Sequence, residues 1–135
     1  MKKIIALFTA LAMTLGLAGC GLLTEEKIKL RDLDFTILSE EVIPEELKSL
    51  INEKKSEPFM LTYSDRDSLY ICKGYGKQSS GGFSITVNEL YLADDAIYVK
   101  TLLLGPEKNE ETGNIETFPY IVIKTEKLDK TVIFE

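Results

Sequence analysis

Apolar and polar residues follow a period of two along most of this chain, and a period near 3.6 along one short stretch. From Lys27 to Leu38 the apolar positions change phase: Ile28 and Leu30 fall on one face, and Leu33, Phe35 and Ile37 on the other. A single strand cannot change phase without an extra residue, so a bulge or break is expected near Arg31-Asp32. Pro44 then suits a first helical position. Glu45 and Glu46 suit the positive end of a helix, and Lys54 and Lys55 the negative end. Leu47, Leu50 and Ile51 lie at i, i+3 and i+4, which gives one apolar stripe. Glu57-Pro58 ends the helix after about three turns. The rest of the chain reads as strands: Phe59–Tyr63, Leu69–Tyr75, Phe83–Val87 continuing through Leu90–Leu92, Ala96–Leu104, Phe118–Lys124 and Thr131–Phe134. The polar turn at 64–68 closes one hairpin and Ala93-Asp94-Asp95 closes a second. Glu107–Asn114 is polar and is expected to form an exposed loop.

About seven to eight short strands and one helix, with no alternating βαβ pattern, predict a mainly β fold. We expect an antiparallel sandwich or barrel with one short amphipathic helix against one side. A helix of three turns needs a sheet to pack on.

The first residues carry a different pattern. Met1-Lys2-Lys3 is basic, and Ile4–Leu17 is almost wholly apolar. At about fourteen residues this run fits a signal h-region and is too short for a stable bilayer span. It ends in Leu17-Ala18-Gly19-Cys20, which resembles a bacterial lipobox. A plain secretory signal with an incidental Cys is the alternative. The agreement of n-region, h-region length and lipobox favours lipidation at Cys20. The expected organisation is a lipoprotein signal peptide over 1–19, a lipidated Cys and tether over 20–27, and one β domain over 28–135. That implies attachment at the outer face of the cytoplasmic membrane or at the outer membrane.

Charge and composition exclude several chemistries. The chain has 16 basic and 22 acidic residues, a net charge of −6. Lys2 and Lys3 are the only charges before Cys20, so the mature portion carries −8 (14 basic, 22 acidic). Such a surface repels nucleic acid, and no nucleic-acid partner is expected. There is no His, so the commonest general base and metal ligand are missing. Of two Cys, Cys20 is committed to lipid, and Cys72 lies in the strand run Leu69-Tyr70-Ile71-Cys72, where a buried position is expected. No thiolate metal site can be built from these, and no cofactor is expected. The acids Asp65, Asp67, Asp94, Asp95, Glu107, Glu110 and Glu111 all fall in predicted turns, where they favour solubility and turn formation. Their spacing matches no calcium loop.

One stretch stands apart. Gly74-Tyr75-Gly76-Lys77-Gln78-Ser79-Ser80-Gly81-Gly82-Phe83 is rich in glycine and hydroxyls. A phosphate-cradling loop would lead into a helix, and a strand pattern follows instead. A Ser–Lys nucleophile pair at Ser79 or Ser80 with Lys77 lacks identifiable oxyanion donors. The remaining readings are a tight connection between strands and a protein-contact loop. Candidate partner-binding residues are Gly76, Ser79, Ser80, Gly81, Gly82 and Phe83, with Phe118, Pro119 and Tyr120 as an aromatic platform beside them. The alternative for those aromatics is ordinary core packing.

These same residues carry a family resemblance. Tyr70, Gly74-Tyr75-Gly76, Ser80-Gly81-Gly82-Phe83-Ser84-Ile85, Gly105-Pro106 and Phe118-Pro119-Tyr120-Ile121-Val122-Ile123 resemble the protease complex subunit PrcB family over about residues 69–134. The chain departs from that pattern at Ser79 and Ser80, where Pro-Thr is usual, and at Phe83, where Tyr is usual. The resemblance implies a non-catalytic accessory subunit, surface-attached and associated with an extracytoplasmic protease. The loop Ser79–Phe83 is also faintly similar to a loop of chagasin-type protease inhibitors, so an inhibitor is the alternative function. No enzymatic activity is expected.

Overall fold

The computed structural model describes residues 27–107 and 113–135. Among these residues, eight strands form two four-stranded sheets. They are β1 (Lys29–Asp32), β2 (Phe35–Ile37), β3 (Pro58–Ser64), β4 (Ser68–Tyr75), β5 (Ser84–Ala93), β6 (Ile97–Leu104), β7 (Tyr120–Glu126) and β8 (Val132–Phe134). One sheet has the order β1-β5-β6-β8 and the other β2-β7-β4-β3. The sheets stack as a sandwich, and no barrel closes. Helix α1 (Glu45–Lys54) follows a 3-10 turn at Glu40–Val42 that the sequence pattern did not suggest.

The phase change near Arg31-Asp32 has a larger consequence than a bulge. The chain leaves one sheet after Asp32 and joins the other at Phe35, with Leu33 buried at the crossing. The β1–β5 register also shifts between Lys29 and Arg31. A second irregularity falls within β5, between Val87 and Glu89, where the sequence alternation had suggested an unbroken strand. Seven of the eight strands pair antiparallel to a neighbour, while β8 lies parallel to β6, with Ile97 opposite Val132. That pair departs from the all-antiparallel expectation. The connection from β7 to β8 crosses between sheets, so β8 arrives beside β6 running in the same direction.

The layers follow from alternation along β4 and β7. Leu69, Ile71, Ile121 and Ile123 point between the sheets and meet Leu90, Ile97, Val99 and Leu33. Tyr70, Cys72 and Val122 point the other way and are capped by Ile43, Leu47 and Ile51. Thus β4 is buried on both faces, which explains why its sequence is a continuous apolar run. The helical stripe predicted from sequence is the face that meets this sheet. Leu47 and Ile51 are fully buried, and Leu50 is partly so. Pro44 sits one position before the helix, and its carbonyl accepts the first helical bond, from Lys48 N–H.

Candidate functional site

Two connections cross between the sheets at one end of the sandwich. The loop 76–83 joins β4 to β5, and the segment after β6 leads to β7. Gln78 and Thr117 form an isolated antiparallel bridge between them, at 2.8 and 3.0 Å. The Thr117 hydroxyl donates to the Ser80 carbonyl (2.6 Å), the Tyr75 amide donates to the Pro119 carbonyl (3.0 Å), and Lys77 pairs with Glu116 (3.2 Å). The glycine-rich loop and the Phe118-Pro119-Tyr120 strand start are therefore neighbours.

Each candidate residue has a definite place here. Gly76 has φ +75°, is buried, and a Cβ on it would come within 2.8 Å of Pro58 Cδ. Gly82 has φ +83° and is exposed, so both positions require conformations that glycine adopts freely. Ser79 is exposed, and Ser80 donates to the Gly81 carbonyl at 3.3 Å. Lys77 is held by Glu116. Phe83 and Pro119 are half-buried, as are Gly81, Phe118 and Tyr120. Tyr120 opens β7 opposite Gly74 and packs into the helix-side cluster. Burial and the nearby Glu40 carboxylate hold its hydroxyl above the usual tyrosine range. Phe118 lies under the Lys55 ammonium, at 5.9 Å. The aromatics thus divide, Tyr120 belonging partly to the core and Phe83 to the loop just before β5. Cys20 lies outside the described residues, as do Glu110 and Glu111.

The sequence reading missed a groove between the sheets beside these residues. About 340 Å³ in volume, it is lined by Phe83, Ser84 and Ile85 on one wall and by Pro119–Val122 on the other, with Ile37, Leu38, Glu40 and Ile43 at its end. A second groove of about 630 Å³ opens farther along β5, between Val87–Tyr91 and the β1–β2 crossing. Ile37 and Phe35 are 52% and 41% exposed at these openings. The only sequence signal was the alternation of Phe35 and Ile37, which reads as a buried strand face until the sheet partition is known.

Other chemistry-bearing groups serve structure. Asp65 Oδ1 accepts from the amides of Asp67 (2.9 Å) and Ser68 (2.8 Å), and its Oδ2 from the Tyr70 hydroxyl (2.9 Å). Those bonds hold its carboxyl below the ordinary range. Asp94 accepts from the Ile28 amide, and Asp95 from the Tyr98 hydroxyl. The turn acids thus staple turns, and among the described residues no cluster of metal-binding side chains forms. Cys72 is fully buried, and desolvation pushes its thiol up to about 12.

No curated protein and no solved structure matches the chain significantly. A family model does: residues 69–126, from the second residue of β4 to the end of β7, match the family described as PrcB C-terminal.

Proposed function

We propose that this chain is a membrane-anchored extracytoplasmic lipoprotein, a non-catalytic accessory subunit of a protease complex that binds its protein partner through one end of the sandwich. The match of residues 69–126 to the PrcB C-terminal family supports a protease-complex-related role. The observation that carries the docking reading is the bridging of the glycine loop 76–83 to Thr117, directly before the Phe118–Tyr120 segment, with all of these residues inside the matched region.

The chain direction supports the anchoring geometry. The Ile28 amide lies 3.3 Å from Asp94 Oδ1, so the chain enters at the Ala93 end of β5. The loop 76–83 leads into Ser84, at the other end of that ten-residue strand. Ten strand residues span about 33 Å. A lipid on Cys20 would therefore leave the loop on the side away from the membrane, where a soluble partner can reach it.

Affinity purification from membranes tests the reading. A specific protein partner is expected with the natural chain and its loss with Gly82→Asp, which puts a side chain at φ +83°. Failure to retain any partner in either case overturns it. Membrane attachment that persists in Cys20→Ser overturns the anchoring part. Inhibition of a cysteine or serine protease by the purified chain would favour the inhibitor alternative.

A further inference from the structure

The hairpin β5–β6 outruns its neighbours. Strand β1 pairs with β5 only at Tyr91–Ala93, with one further bond from the Leu33 amide to the Leu90 carbonyl. Strand β8 pairs with β6 only at Ile97–Val99. Among the described residues, Ser84–Val87 is therefore hydrogen-bonded along one side alone, to Thr101–Leu104. Its other side faces the space vacated where the chain crossed to the second sheet after Asp32. Ser84 and Thr86 are exposed there, and neither Pro nor Lys guards this stretch.

The two grooves open beside this edge. Ile85 lines the smaller and Val87 the larger, so they lie two residues apart on the same face of the strand. An added strand would place alternate side chains toward these grooves while its backbone bonds to β5. The other long edge strand, β3, lines neither groove and has its inner face covered by α1.

We propose that the edge Ser84–Val87 receives an extended segment of the partner protein, apolar at alternate positions and bearing Lys or Arg beside them. This takes the docking role above as its premise and assigns where the contact forms. The charge comes from the rim. Glu40 lines the smaller groove and Glu89 the larger, and neither forms an ion pair among the described residues. The nearby cations are engaged: Lys27 with Glu135, and Lys29 with Asp32 at 2.6 Å. A second copy would bring a chain of like net charge, −6 as translated. The chain's own leading segment enters at the opposite end of β5.

The test uses the chain purified from membranes in detergent and two synthetic twelve-residue peptides. Both alternate valine with polar residues. One carries lysines at the polar positions and the other glutamates. Amide hydrogen exchange should slow at 84–89 with the lysine peptide, which should bind at least tenfold more tightly than the glutamate peptide. Glu40→Lys with Glu89→Lys, both exposed positions, should remove that preference while leaving the thermal midpoint near its natural value. Protection at β3 or at 101–104 instead, equal binding of the two peptides, or no protection overturns the proposal. Protection at 84–89 that grows with protein concentration alone also overturns it, because the occupant is then a second copy. Peptide protection at 84–89 in a chain that retains no partner from membranes would support the edge and overturn the accessory reading.

Discussion

The hydroxyls of Tyr75 and Thr101 share a 2.5 Å hydrogen bond across the gap between the two sheets. Tyr75 is the last residue of β4 and Thr101 lies in β6, so this bond ties the sheets together next to the glycine loop. A part-buried hydroxyl pair of this kind contributes about 1 kcal/mol, and deleting one partner leaves the other unsatisfied. Tyr75→Phe is expected to lower stability by about 1 kcal/mol. It should also speed amide exchange in 76–83 more than at the far end of the sandwich. Urea unfolding with exchange mass spectrometry checks both. A stability loss with uniform exchange would mean that the bond does not hold the loop locally.

Gly74 is constrained by contact. A Cβ there would fall within the ring of Phe59, its cross-strand partner on β3. Gly74→Ala must displace that ring from the helix-side cluster, at a cost of about 1–3 kcal/mol. The double variant Gly74→Ala with Phe59→Leu should recover part of the loss, because the clashing ring is gone. Thermal unfolding of the two variants gives the comparison. Equal midpoints would show that the ring contact is not the cause.

How much of this was legible in the sequence depends on the range of the interaction. The two hairpins and the helix are local, and alternation or the Leu47-Leu50-Ile51 spacing placed them within a residue or two. The phase change at Arg31-Asp32 was visible, but a sheet switch and a bulge give the same one-residue signal, and only the positions of β5 and β7 separate them. Strand β8 has three residues, too few to specify direction or partner, so its parallel pairing with β6 comes from the chain's return across the sandwich. For the site, the glycine loop announced itself by composition. The grooves did not, because their walls come from Ile37, Ile85 and Ile121, residues far apart in sequence whose individual patterns say only that they are half-buried.

The turn between β3 and β4 gives a pH dependence with a defined sign. Asp65 is held below its ordinary pKa by the Asp67 amide, the Tyr70 hydroxyl and the Ser68 amide. A carboxyl with a depressed folded-state pKa stabilises fully above its unfolded value of about 3.9. That contribution is lost as the pH falls through the lower folded value. The difference in unfolding midpoint between the natural chain and Asp65→Asn should therefore be largest from about pH 5 upward and shrink on acidification. A difference constant from pH 7 to pH 2 would assign the effect to lost turn geometry instead of charge.

The helix layer can be tested through the thiol it covers. Leu47 and Ile51 are fully buried over Cys72, Tyr70 and Val122, and α1 is fastened at its first turn by the Tyr63 hydroxyl donating to Glu46 (2.9 Å). With its thiol pushed up to about 12 by burial, Cys72 has almost no thiolate at neutral pH and no path to solvent. Native protein in which Cys72 is the only free thiol should label with a thiol reagent only on unfolding. Leu47→Ala leaves a cavity beneath the helix and should cost about 2–5 kcal/mol. If α1 opens as a unit without the sheets, labelling in that variant should accelerate far more than its global stability loss predicts, while exchange at Ile97–Val99 stays protected. Labelling that instead tracks global unfolding would show that the helix and the two sheets form one cooperative core.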